Sequence, residues 1–307
     1  MIADLVKLRA DLLNVINHVS LYDQINEKSN LIGSIINTNS QSAHDISLST
    51  SIFDDLYQNN QHIINMLNEK ILEIDQKIET NANEFECMPG LLVYNEEIES
   101  IIKTRTSLSA TWLYPGLLLN CRFEENISRS FIHYKNRVDG VIGAQPLYLA
   151  GNDIGSLDVY ISEYPDLFKS RTLLYEVHGT DFSALPQNQF GYIQCWDFLN
   201  YLPLDSVKQH LEKIFNLLRP GGIAMFSYSN CHKVETAELF DQQKVSFCSD
   251  IWIKNTLASI GYELISLQDM STVTDGIKYW ISWVEIKKPG TLSTTKKHPV
   301  VGQVLQK

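Results

Sequence analysis

The chain has 307 residues, 44% of them hydrophobic, which is enough for one large domain or two modest ones with a sizeable core. Its net charge of -11 argues against broad nucleic-acid binding, because that needs a basic face to displace counterions. No stretch reaches the ~20 apolar residues of a membrane span. The N-terminus MIADLVKLRADLLNVINHVS lacks the apolar core and cleavage site of a signal peptide, so the chain is expected to be cytoplasmic when synthesised.

Residues 1–87 read as a helical arm. Up to position 85 there is no proline, and the one glycine is Gly33. Leu5, Leu8, Leu12, Val15, Val19 and Tyr22 step alternately by three and four residues, and so do Ile64, Leu67, Ile71, Ile74 and Ile78. That alternation is the seam of paired helices. The polar run NTNSQSAHDISLSTS between the two series predicts a turn. The arm is therefore either a hairpin of two helices or a coiled coil that joins copies of the chain or docks it to a larger assembly. In both cases Leu8, Leu12, Val15 and Val19, with Leu67, Ile71 and Ile74, are expected to be buried. Pro89 and Gly90 break the pattern, and residues 88–110 read as a linker or short helix, EEIESIIKTRTSLSATWLY carrying the helical signal.

From residue 111 the grammar changes to alternating strands and helices. YPGLLLNCRFEEN, QPLYLAGND and TLLYEVHGTDFSALP each contain a strand, and a helix is expected around ISRSFIHYKNR. FGYIQCWDFL is a buried strand by its apolar run. Asp205 then reads as an N-cap, Val207, Leu211, Ile214 and Leu218 line one helix face, and RPGG stops the helix. IAMFSYS is the next strand, and SDIWIKNTLASI the next helix, with Gly261 just past its end. YELISLQDM and KYWISWVEIKK close the domain at residue 288, and 289–307 form a polar, basic tail. Alternating strands and helices imply an α/β fold with a mostly parallel sheet, its last strand antiparallel.

The segment HGTDFSALPQNQFGYIQCWDFLNYLPLDSVKQHLEKIFNLLRPGGIAMFSYSN resembles class I S-adenosylmethionine-dependent methyltransferases, which carry an acidic residue and LP before a strand, then a helix ending in L-P-G-G. The resemblance covers roughly residues 110 to 288 and implies a Rossmann-like methyltransferase sheet. LPLD…LLRPGG…FSY and the ending WVEIKKPGTLST also resemble methyltransferase-domain proteins of tailed phages, which implies association with a virion.

If S-adenosylmethionine binds, the resemblance places Asn120 at the end of the first strand, Asp153 at the ribose, Asp181 at the adenine amino group with Phe182 for stacking, and Trp196 beside the cofactor. Apart from the resemblance, Asp181 also reads as a turn or cap residue and Trp196 as core. Asp197 and Asn200 sit where family members place substrate contacts, and both also read as turn residues. The family's first strand leads into a glycine-rich turn that lets backbone amides approach the cofactor. Here GLLLN is followed by Cys121, Arg122, Phe123, Glu124, Glu125 and Asn126, with no glycine between Gly116 and Gly140. In a second alignment, QPLYLAGND is the first strand and Gly151 and Gly155 form the turn, but the sheet is then one unit short.

The five cysteines, Cys87, Cys121, Cys195, Cys231 and Cys248, are odd in number and never spaced as CxxC, so reduced thiols are expected. No pair has metal-finger spacing, and no metal is predicted. Two functions follow. The first is a methyltransferase fold that has lost its cofactor and serves as a structural component of an assembly through protein partners, a homo-oligomer or larger, held by the N-terminal helices. The second is an active S-adenosylmethionine-dependent methyltransferase with an unknown acceptor.

Overall fold

The computed structural model describes residues 2–37, 43–82, 114–119, 147–152, 154–162, 166–195, 198–274 and 277–292. The chain divides into two compact units, Met1–Asn81 and Ala82–Lys307.

The first unit is a pair of long helices, α1 (Ile2–Asn37) and α2 (Ala43–Ala82). Arg9 Nε donates to Asp75 Oδ1 at 2.7 Å, and Asn60 Nδ2 donates to Asp23 Oδ1. Those pairings run the helices antiparallel, as a hairpin. On α2 the expected seam is the packed one: Ile71, Ile74 and Ile78 are buried. On α1 it is not. Leu8 and Val15 are exposed, and Ile2, Val6 and Arg9 are buried in their place. The facing side of α1 is rotated from the predicted seam toward Arg9. A guanidinium with only 9% of its side chain exposed needs its carboxylate, and Asp75 lies on α2.

The second unit is one seven-stranded sheet in the order β3-β2-β1-β4-β5-β7-β6. Its strands are β1 (Gly116–Leu119), β2 (Leu147–Gly151), β3 (Thr172–Glu176), β4 (Phe190–Cys195), β5 (Leu218–Ser229), β6 (Glu263–Thr274) and β7 (Ile277–Lys287). β7 is antiparallel to both neighbours, β5 and β6, and the other pairings are parallel. This is the mostly parallel, Rossmann-like sheet with an antiparallel last strand that the sequence predicted. β1 and β4 are apolar runs buried along their length, as central parallel strands covered on both faces must be. β3, at the edge, is only half-buried.

Helices α3 (Ile154–Ser162) and α4 (Asp166–Arg171) lie between β2 and β3, and α5 (Leu204–Leu217) connects β4 to β5. α5 buries Leu204, Val207, Leu211, Ile214 and Leu217, spaced three and four apart, each worth roughly 1.5–3 kcal/mol. Its N-cap is Pro203 rather than Asp205. Asp205 lies in the first turn, where a carboxylate still favours the positive helix end. At the other end Lys288 Nζ donates to the carbonyls of Phe215 and Leu218 and to Asn188 Oδ1, each within 2.9 Å.

RPGG is not a free turn. It opens β5, with Gly221 at φ +81°. The segment after β7 lies directly against it, so that a Cβ on Gly221 would stand 2.4 Å from the Leu292 nitrogen. α6 (Val234–Asp241) was not foreseen. α7 (Asp250–Ile260) was: Ser249 Oγ caps it by accepting from the Trp252 N–H at 3.2 Å, and Gly261 ends it at φ 98°. The helices expected around ISRSFIHYKNR and EEIESIIKTRTSLSATWLY lie outside the described residues.

Candidate functional site

In an open parallel sheet, ligands bind beyond the carboxyl ends of the strands where the strand order reverses. Here that point lies between β1 and β4: β1 pairs with β2 on one side and with β4 on the other. β1 ends at Leu119 and β4 at Cys195. This placement decides between the two alignments. GLLL is the central first strand, and LYLAG is the second. Asn120, Asp153, Trp196 and Asp197, and the run Cys121–Asn126, lie outside the described residues.

Asp181 stands in the loop after β3. Its N–H donates to the His178 carbonyl at 3.0 Å, and its Oδ1 accepts from the Ser183 N–H at 3.0 Å. These bonds form the local turn for which an Asp side chain is suited. The carboxylate is exposed, and hydrogen bonding from Ser183, aided by the positive charge of Lys213, holds its pKa below the ordinary value. It is therefore an oriented anion at neutral pH, open to solvent.

Phe182 is only 2% exposed, and its ring meets His210 of α5 edge-on at 5.6 Å. Phe198 meets the same imidazole at 5.2 Å. The Phe182 ring is thus part of the packing between this loop and α5. His210 Nδ1 lies 2.7 Å from the Ser206 carbonyl, which can only accept, so Nδ1 carries the proton. Burial lowers the His210 pKa, against the opposing pull of the Ser206 and Gly179 carbonyls. A histidine whose folded pKa lies below its unfolded one contributes stability that is present above the unfolded value, about 6.5. That stability is lost as pH falls through the folded pKa. Urea unfolding of wild type and His210→Phe at pH 7.5 and 5.5 should show the wild type losing more stability on acidification. Equal losses would remove His210 as the cause.

Asn200 is turned into the interior. It is 1% exposed, and its amide lies between the Ser227 and Ser229 hydroxyls of β5, at 2.9 and 3.2 Å. Turning the amide over preserves contacts to both serines. Its carbonyl accepts from the Ser246 N–H and hydroxyl at 2.9 and 3.0 Å. Its side-chain amide and its backbone carbonyl are both used to hold the strand end.

A further polar cluster at the end of β5 was not read from the sequence. Asn230 Nδ2 donates to Asp269 Oδ1 and Ser282 Oγ, both at 3.0 Å, and the Ser282 hydroxyl donates to the same carboxylate at 2.6 Å. Lys233 completes it at 3.3 Å from Asp269. Burial alone pushes the Asp269 pKa up, and the three donors together hold it below the ordinary value. Its residues come from β6, β7 and the turn between β5 and α6, so no local motif announces it.

Cys195, Cys231 and Cys248 are buried free thiols, and burial pushes Cys248 well above the ordinary thiol pKa, which leaves it inert. Among the described residues no group of three or more His, Cys, Asp or Glu is placed to hold a metal ion, and no helix is long and apolar enough to cross a membrane.

No family model matches the chain, and no curated protein matches it. Solved structures do resemble it. An S-adenosylmethionine-dependent methyltransferase from Mesorhizobium loti is 14% identical, covering 62% of this chain and 97% of its own, with a TM-score of 0.45. The N-methyltransferase NodS from Bradyrhizobium japonicum WM9, in complex with S-adenosyl-L-homocysteine, is 14% identical over 63% of this chain and 86% of its own, with a TM-score of 0.45. The [4+2]-cyclase SpnF is 12% identical over 68% of this chain and 90% of its own, with a TM-score of 0.48. The fold is assigned from the strand order, and the chemistry has to be argued from this chain's own residues.

Proposed function

We propose that this is a methyltransferase-fold protein that no longer holds S-adenosylmethionine and serves as a structural component of a larger assembly. One observation carries the reading. β1 is the central strand at the reversal of strand order, and along the sequence it is followed by Asn120 to Asn126, a run that contains no glycine. Bare backbone is what lets amides close on the amino-acid end of a cofactor, and no residue of this run supplies it. The same run carries two negative charges, Glu124 and Glu125, which disfavour holding a cofactor carboxylate. The helical arm is unnecessary for methyl transfer and suits attachment. The resemblance to tailed-phage proteins makes a virion the assembly proposed.

A second reading, an active methyltransferase with an unidentified acceptor, is favoured by Asp181, an exposed and oriented carboxylate in the loop after β3. Ligand-linked stability separates the two. A binder with cofactor at ~100 times its dissociation constant gains about 2.7 kcal/mol. The expected result is no change in melting temperature with S-adenosylmethionine or S-adenosylhomocysteine. A saturable rise, abolished in Asp181→Ala with the fold intact by circular dichroism, would establish the second reading.

A further inference from the structure

We propose that His210 is an acid-sensitive latch on the edge of the sheet where the candidate site lies. While its imidazole is neutral it holds the loop between β3 and β4 against α5, and on gaining a proton it releases that loop. The inference adds a regulation to the site and is independent of whether a cofactor binds there.

The backbone of this loop is tied to the rest of the unit at its two ends. The Val177 N–H donates to the Gly151 carbonyl at 2.9 Å, and the N–H groups of Asn188 and Gln189 donate to the Asn216 and Leu217 carbonyls at 2.9 and 3.0 Å. Between those ends, the N–H groups of Asp181 and Leu185 donate to the His178 and Phe182 carbonyls, inside the loop itself. The middle is held by buried side chains: Phe182 and Leu185 are each 2% exposed, and the Phe182 ring closes on His210. His210 is buried to the same degree, between the edges of Phe182 and of Phe198 from the segment after β4. Its Nδ1 donates to the Ser206 carbonyl, and its Nε2 is buried without a hydrogen-bond partner. The Gly179 carbonyl acts on the ring without completing a bond to Nε2. A neutral ring tolerates this, because an accepting nitrogen forgoes one modest hydrogen bond. An imidazolium has a donor at both nitrogens, and an ionised donor left unpaired in an apolar site costs far more. Parting Phe182 from the ring admits water to Nε2, and that movement opens the loop at its middle.

Among the described residues, no charge stabilises the imidazolium in place. The titratable groups on the elements around the ring are His178 and Asp181 on the loop, Asp205, Lys208, Glu212 and Lys213 on α5, and Tyr201 on the segment after β4. Those on the loop and on α5 are exposed, and none of the seven contributes to the shift of the His210 pKa. Asp181, the carboxylate on the loop, is answered by Ser183, Lys213 and His178. Burial sets the folded pKa of His210 below its unfolded value of about 6.5, so the closed loop is fully favoured above that pH and less so below it. One proton taken up on opening raises the open population by up to about tenfold between pH 7.5 and 5.5.

Hydrogen–deuterium exchange on the full chain, corrected for the intrinsic pH dependence of amide exchange, reads the loop directly. In wild type, peptides covering residues 177–189 are expected to lose up to about tenfold in protection from pH 7.5 to 5.5, while those of β5 and β7 keep theirs. His210→Phe and His210→Asn, neither of which titrates, are expected to abolish the difference. Asparagine keeps a donor for the Ser206 carbonyl and serves where phenylalanine does not fit. Unchanged protection in wild type overturns the inference. So does an equal loss in the variants, or a loss spread evenly over β5 and β7. If neither variant folds, the wild-type profile decides: a one-proton fall with its midpoint below about pH 6.5 upholds the latch, and a midpoint above it overturns it. None of these results involves S-adenosylmethionine, whose effect on melting temperature bears on the proposed function alone.

Discussion

Gly221→Ala is expected to destabilise the α/β unit by about 3 kcal/mol, the largest effect among the described glycines. Two costs add. At φ +81° an alanine sits in the left-handed region, which costs roughly 1–2 kcal/mol. Its Cβ would also stand 2.4 Å from the Leu292 nitrogen and 2.7 Å from the Thr291 carbonyl carbon. Those are backbone atoms, so relief requires moving the segment after β7 away from β5. Gly221 N–H donates to the Lys288 carbonyl at 2.8 Å, and the Lys288 N–H to the Gly222 carbonyl at 2.9 Å, so that movement breaks hydrogen bonds as well. Gly179 is the control: it has φ +57°, but a Cβ there meets nothing within 4 Å. Gly179→Ala should cost only the conformational part, about 1 kcal/mol. Melting temperatures should fall by about 2–4 °C for each kcal/mol in a unit of this size. Equal falls for the two variants would show that the contact with Thr291 and Leu292 carries no weight.

Asn200→Ala should cost a comparable amount, about 3 kcal/mol, for a different reason. The change opens a cavity beneath β5 and takes the amide from two hydroxyls that are themselves buried, Ser227 at 0% and Ser229 at 1% exposure. A buried polar group deprived of its partner costs about 1–3 kcal/mol, more than the bond itself contributes. Removing the hydroxyls together with the amide should therefore recover part of the loss. In a cycle of Asn200→Ala with Ser229→Ala, the coupling should be about 1–2 kcal/mol, read by urea denaturation. Strict additivity of the two substitutions would show that the bridge between them is energetically empty. If instead Asn200→Ala leaves stability intact and alters a ligand response, the residue belongs to a binding site.

Both positions lie inside stretches that the sequence singles out, and in both the reason for the residue is tertiary. LRPGG predicts the end of a helix, and α5 does end at Leu217. The identity of the segment packed on Gly221 is not local information, because Thr291 and Leu292 are some seventy positions away. Asn200 reads as a polar residue near a strand end, and only the pairing of β4 with β5 puts Ser227 and Ser229 around it. In the same way Phe182 reads as a stacking face. Its edge-on contact with His210 depends on how α5 crosses the sheet.

What the sequence by itself determined is the succession of elements. Apolar runs marked β1 and β4, three-and-four spacing marked α5, and Gly261 marked the end of α7, because each signal is carried by neighbours along the chain. α6, eight residues with two glutamates, was too short and too charged to stand out. What only the tertiary structure decided is which surfaces meet. Two strands competed for the role of first strand, and the sheet order assigned it to Gly116–Leu119, since strand neighbours are chosen by long-range pairing. On α1, two apolar stripes of the same spacing competed for the hairpin seam. Ile2 and Val6 won over Leu8 and Val15 because Arg9 lies on their side and Asp75 on α2 answers it. Periodicity says that a helix has a face to bury, and its partner's side chains decide which face that is.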